Sequence, residues 1–253
     1  SGGVAGLPQI YANEKHLNDV IDKQYSQFID NARSKKILIE NTIEAKNIKE
    51  IGMSISNSIE KYYNNKGEEN PVQNFKWEFA LIDAKDQNGN LIKNAWCMPG
   101  GKIAFYTGIM PIAKNEDGIA SIMGHEIAHA FARHTIEKLT QTSIISLGTQ
   151  ALSASKFGTT LAQNSNIYNN LIQFGLMLPF SRKMESEADY MGLIFMNLSG
   201  FDMYESIDIW KRMQKASENE RVSEFISSHP SPENRIENLQ KWIDEVKIDY
   251  PKV

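Results

Sequence analysis

Asn115-Glu-Asp-Gly-Ile-Ala-Ser-Ile-Met-Gly-His125-Glu126-Ile127-Ala128-His129-Ala-Phe131 is the stretch from which the rest of this chain is read. Ile119, Met123, Ile127 and Phe131 recur on one flank at helical spacing, and Asn115 is a suitable N-cap. On that helix His125 and His129 are four residues apart and point the same way. Two imidazoles so placed can share one zinc ion at about 2.0–2.1 Å. Glu126, beside the first histidine, is placed to reach a water on the ion. With 5 His and 20 Glu in 253 residues, random order would give about 0.008 such patterns. Coincidence is therefore a poor explanation.

A third ligand is sought downstream. Ser181-Arg-Lys-Met-Glu185-Ser-Glu187-Ala-Asp189 begins a second amphipathic helix, with Ser181 able to cap it. Met184, Ala188, Met191, Phe195 and Leu198 form its apolar stripe. Glu185, Asp189 and Gly192 form the neighbouring stripe, whereas Glu187 points about 200° from Glu185. Charges bordering a buried stripe need partners. Glu185 is thus the expected third ligand, leaving a fourth position for water. Asp189 is expected to accept a hydrogen bond from a ligand histidine, His125 first, and fix its tautomer.

Composition agrees with one sizeable domain. The chain has 253 residues, 41% hydrophobic and 23% charged, with a net charge of −4. Collagen-like, coiled-coil and disordered classes are excluded, and nothing suggests a nucleic-acid partner. The single cysteine, Cys97, excludes disulfide scaffolds and multi-cysteine zinc sites. No run of about 18 apolar residues occurs, so no membrane-spanning helix is expected. The Ser1-Gly-Gly start reads as a trimmed end, compatible with a removed N-terminal anchor. We expect a single domain, 1–253, with a helical scaffold at 10–74 and a catalytic core at 75–253. Residues 10–64 read as helical, and Asn64–Pro71 as a breaker. Phe75–Leu81 alternates as a strand, Asp86–Gly89 as a turn, and Leu91–Cys97 as its hairpin partner. Lys102–Thr107 reads as a further strand. The polar segment Thr140–Asn170 reads as a mobile cover.

These residues resemble the HtpX-like and CAAX-prenyl-protease-like zinc metallopeptidases, peptidase family M-48. The likeness is carried by His125 through Arg133-His134, by Ser181-Arg182…Glu185…Ala188-Asp189, by Asn94-Ala95-Trp96 with Pro99-Gly100-Gly101-Lys102-Ile103, and by His229-Pro230…Arg235. It implies an α+β, mostly helical zincin-type domain, with a small mixed or antiparallel sheet flanking the active-site cleft. It also implies one Zn2+ per chain, Glu126 as general base, and His229 and Arg235 as further catalytic residues. His229 would donate to the oxyanion, ahead of a helix starting at Ser231-Pro232, and Arg235 would support the oxyanion or a carboxylate. Because no membrane helix is seen, the soluble bacterial branch is the nearer likeness. That implies a periplasmic or lipid-anchored envelope peptidase acting on unfolded or misassembled polypeptides.

Further expectations complete the picture. Gly101, Lys102, Ile103, Ala104 and Phe105 would bind an extended substrate through a sheet edge. Trp96 and Met98 line a pocket or are ordinary core. His134, about 180° round an unbroken helix from His125, reads as structural, and His16 as a surface residue. His229 is also able to swing onto the open zinc position, giving a latent enzyme. Two alternatives stand beside the peptidase: a deformylase-like hydrolase with Cys97 as third ligand, and a chaperone or assembly factor built on the same fold.

Overall fold

The computed structural model describes residues 7–146, 171–219 and 222–253. The N-terminal part is two helices rather than one helical run. α1 (Leu7–Ser34) and α2 (Ile43–Lys66) flank a two-residue strand, β1 (Leu38–Ile39). The break has local causes. Lys36 is left-handed at φ 59°, and Thr42 restarts the helix by accepting from the Ala45 N–H at 3.1 Å. Gly67, at φ 66°, ends α2 inside the expected breaker.

Three more strands complete the sheet: β2 (Glu78–Ile82), β3 (Ala95–Met98) and β4 (Lys102–Tyr106). Their order is β1-β2-β4-β3, with β4 parallel to β2 and antiparallel to β3. The expected hairpin between Phe75–Leu81 and Leu91–Cys97 does not form. Asp86–Gly89 does turn, but Asp86 Oδ1 accepts from the Asn88 and Asn90 amides and closes only a local loop. The chain folds back instead at Pro99-Gly100-Gly101, where the glycines take φ 86° and 91°, a region costly for other residues. That turn joins two strands buried along their whole length.

The topology also corrects the expected substrate strand. β4 is hydrogen-bonded on both sides, so Gly101, Lys102, Ile103, Ala104 and Phe105 offer no edge to a peptide. Lys102 is 1% exposed, and its Nζ is held by Asp22 at 2.7 Å and Glu78 at 2.8 Å. Among the described residues the unpaired edge on that side belongs to β3.

Successive sheet residues feed opposite cores. Leu81, Cys97, Ile103 and Phe105 face the cluster containing α2 residues Ile48, Ile51 and Ile55. Ala80, Trp96, Met98 and Ala104 face α1 residues Leu17, Ile21 and Tyr25. Trp96 packs edge-on against Tyr25 and Phe28 and donates to Tyr106 Oη at 3.1 Å. Trp96 and Met98 are therefore core residues.

Helices follow: α3 (Met110–Ala113), α4 (Glu116–Phe131), α5 (His134–Ser146), α6 (Leu171–Met177), α7 (Arg182–Leu198), α8 (Tyr204–Asn219), α9 (Glu224–Ser228) and α10 (Arg235–Asp249). Asn115 caps α4, accepting from Gly118 N at 2.8 Å, and Ser181 caps α7, accepting from Met184 N at 3.1 Å. α10 starts at Arg235 behind a left-handed Asn234, not at Ser231-Pro232. Of the expected cover, residues 140–146 continue α5, and the rest lies outside the described residues. The result is the expected α+β architecture, mostly helical with a small mixed sheet. Among the described residues no helix is long and apolar enough to cross a membrane.

α4 and α7 meet at glycines, and this contact positions the site. A Cβ on Gly192 would lie 3.2 Å from His125 N, and one on Gly124 would lie 3.1 Å from Gly192 O. The two backbones approach so closely only because neither position carries a side chain. The first turns of α7 are thereby set against the middle of α4.

Candidate metal centre

α4 places His125, Glu126 and His129 in the interior, and α7 brings Glu185 and Asp189 against them. All five are 5% exposed or less. His125 Nε2 lies 3.2 Å from Glu185 Oε1, and His129 Nε2 lies 2.7 Å from Glu185 Oε2. The two Nε2 atoms are 3.1 Å apart. Ligands of one tetrahedral zinc ion stand roughly 3.3 Å from each other, so the three spacings suit a single ion. His229, at the end of α9, joins the cluster: one ligand atom from each of His125, His129, Glu185 and His229 fits within 4.8 Å of the others.

Hydrogen-bond accounting tests the fit independently. Both Glu126 oxygens, Glu185 Oε2 and His229 Nε2 are buried without a hydrogen-bond partner. Such atoms are costly unless something else satisfies them. Glu185 and His229 belong to the set of ligand atoms that gather within 4.8 Å of one another, and Glu126 stands beside that set, 2.8 Å from His229 Nε2. A cation supplies what that arrangement lacks.

The surrounding charges point the same way. Burial works to raise the Glu185 carboxyl and lower the His125 imidazole. His229, His125 and His129 nonetheless hold Glu185 well below the usual carboxylate range. Glu185 and Asp189 push His125 up to about 10. His129, more deeply desolvated, is driven well below its usual value. The field at Glu185 thus favours positive charge.

Asp189 Oδ1 meets His125 Nδ1 at 3.1 Å, the pairing expected from sequence. Arg235 closes the back of the site. Its Nε donates to Asp189 Oδ2 at 2.7 Å and its Nη2 to Glu185 Oε1 at 2.6 Å. The guanidinium carbon lies 3.6 Å from the Trp210 ring centre. Of the two roles expected for Arg235, the structure places it on carboxylates, so it is not free to face an oxyanion. His229 Nε2 lies 2.8 Å from Glu126 Oε1, while its ring stacks on Phe225 with centroids 4.0 Å apart. Phe180 stacks on His129 at 3.7 Å.

Two residues outside the expected set also reach the site. His134 is buried with its Nδ1 2.9 Å from His129 Nδ1 and its Nε2 2.8 Å from Glu187 Oε2. Helical periodicity hides this contact, because α4 ends at Phe131 and Arg133 takes φ 59° before α5 begins. Lys138 of α5 donates to the Gly175 and Leu178 carbonyls, both at 2.7 Å, and covers the Phe180 ring at 3.7 Å. No composition or spacing signal marks it. His16 lies on the exposed face of α1. Cys97 is buried, and burial together with the nearby Glu126 pushes its thiol well up. It is absent from the ligand cluster, which removes the basis for the deformylase-like alternative.

Comparison with known proteins agrees with this geometry. The chain is 38% identical over 178 residues to the mitochondrial metalloendopeptidase OMA1 of Schizosaccharomyces pombe, covering 70% of this chain and 50% of that protein. It is 26% identical over 182 residues to the human mitochondrial metalloendopeptidase OMA1, covering 69% and 34%. It is 25% identical over 162 residues to the β-barrel assembly-enhancing protease of Escherichia coli, covering 61% and 33%. The chain therefore spans half or less of the length of these relatives. The similarities correct the expected bacterial-envelope location and bacterial branch: mitochondrial proteins of yeasts, a plant and animals match at higher identity than the bacterial proteases. The sequence model of Peptidase family M48 matches residues 54–243, from within α2 to within α10 and across every ligand candidate, and the chain belongs to that family.

Proposed function

We propose that this chain is a zinc-dependent endopeptidase that hydrolyses peptide bonds of unfolded or extended polypeptides. The observation that carries the reading is the convergence of His125, His129 and Glu185 on one point, with Glu126 buried beside it and both its oxygens without hydrogen-bond partners. His125, His129 and Glu185 would hold the ion. Bound zinc acidifies water and polarises a carbonyl. Once His229 Nε2, 2.8 Å from its Oε1, has moved aside, Glu126 would take the proton of the attacking water and deliver it to the leaving amine. Asp189 keeps the His125 ring oriented, and Arg235 bridges Asp189 and Glu185, offsetting one of their two negative charges.

His229 supports two roles. As a donor it would stabilise the oxyanion once substrate displaces it from Glu126. As a fourth ligand it would keep the enzyme latent, and its place within the ligand cluster favours this in the absence of substrate. Casein cleavage by wild type, Glu126→Gln and His229→Ala tests both readings. Glu126→Gln should lose about 10²–10⁴-fold in rate while retaining zinc. A gain in His229→Ala indicates latency, and a loss indicates oxyanion donation. Undiminished cleavage by Glu126→Gln contradicts the peptidase reading and favours a binding role, such as that of a chaperone or assembly factor.

A further inference from the structure

His129 must present an unprotonated Nε2 if it is to ligate an ion, so its one ring proton sits on Nδ1. That proton faces His134 Nδ1 at 2.9 Å. His134 Nδ1 must then accept, which places the His134 proton on Nε2, where Glu187 Oε2 receives it at 2.8 Å. One set of proton positions satisfies all three groups. His134 is 1% exposed, so water cannot easily replace it, while Glu187 is about half exposed. The chain from surface carboxylate to ligand imidazole parallels the direct Asp189–His125 contact on the other side of the cluster.

The backbone is built to allow this. On an unbroken helix His134 would point away from the site. Arg133 instead adopts a left-handed conformation, and its guanidinium is held on three sides. Nε donates to Glu14 of α1 at 2.8 Å, Nη1 to the Phe131 carbonyl and Nη2 to the Pro71 carbonyl, both at 2.7 Å. The break these contacts hold turns α5 so that its first residue meets the last ligand of α4.

We propose that His134 is a positioning residue for His129: the Glu187–His134–His129 relay fixes the ligand's tautomer and aims its Nε2 at the metal. This rests on the zinc-peptidase reading above. The test is zinc affinity by chelator competition, together with the visible spectrum of the cobalt(II)-substituted protein. The variants are His134→Leu, His134→Asn, Glu187→Gln and the Leu/Gln double variant, with folding checked by circular dichroism. Loss of an outer partner typically weakens metal binding about 10–100-fold, and His134→Leu should fall in that range with an altered cobalt spectrum. His134→Asn should stay within about threefold of wild type, because its Oδ1 can accept where Nδ1 did. Glu187→Gln keeps an acceptor but loses the carboxylate charge that strengthens the bond, so it should weaken binding by about three- to tenfold, and add nothing in the His134→Leu background because the two act in series. Wild-type affinity and spectrum in His134→Leu overturn the proposal, as does a full Glu187→Gln effect in the double variant. Should His134→Leu not fold, a Glu187→Gln protein indistinguishable from wild type overturns it. A wild type that binds no zinc defeats the underlying reading instead.

Discussion

Arg235→Met should make stability depend on metal. Arg235 is 3% exposed, and its guanidinium bonds Glu185 and Asp189 at 2.6 and 2.7 Å. Methionine retains much of the stem that packs on Trp210 but no charge. Two unit charges at about 4 Å and an effective dielectric of about 20 attract by about 4 kcal/mol, so two carboxylates contribute roughly 8 kcal/mol. Several kcal/mol of this is offset, because the variant no longer desolvates a guanidinium. The net expectation is a loss of about 3–5 kcal/mol, the range seen when one partner of a buried ion pair is removed. Urea denaturation with excess chelator measures it. Repeating the titration with saturating zinc should give a smaller loss, since a divalent cation at Glu185 restores positive charge to one of the two orphaned carboxylates. A loss under about 1 kcal/mol in chelator, or equal losses with and without zinc, would refute the reasoning.

Three other outcomes follow from particular contacts. Burial lowers Lys138 to about 8 from 10.5, so the folded protein binds fewer protons than the unfolded chain between those values. Unfolding free energy should rise from pH 8 towards 10.5 by about 3 kcal/mol through this group; Lys138→Met should flatten that rise in denaturation curves, and parallel pH profiles would contradict it. Gly192→Ala forces a Cβ against the His125 backbone at 3.2–3.3 Å; we expect about 1–3 kcal/mol of destabilisation and weaker zinc binding, and unchanged values for both would contradict the close-contact argument. Cys97→Ser should retain a full complement of zinc by metal analysis, because the thiol lies outside the ligand cluster; loss of the metal would restore Cys97 as a ligand.

The site was legible in sequence where local periodicity governs it. Four-residue spacing on α4 placed His125 and His129 together, and the same period on α7 separated Glu185 and Asp189 from Glu187. The caps at Asn115 and Ser181 were readable because each depends on one side chain and an amide three residues on. Features fixed by distant parts of the chain were not. His134 reaches His129 only because Arg133 is held by Glu14, 119 positions away. Alternation in Phe75–Leu81 and Leu91–Cys97 marked strands but not partners, and the parallel insertion of β4 beside β2 left no local trace. For the same reason Gly101–Phe105 read as a free edge when it is the centre of the sheet. Ser231-Pro232 has the composition of a helix start, whereas the actual boundary of α10 is a left-handed asparagine, Asn234.

Metal analysis of purified wild type beside Glu185→Ala tests the central claim most directly. One zinc per chain in wild type, and its loss in a Glu185→Ala protein that still folds, is the predicted result. A wild type that cannot be loaded with zinc, or a variant that holds it as well as wild type, would contradict the assignment of His125, His129 and Glu185 as the metal centre.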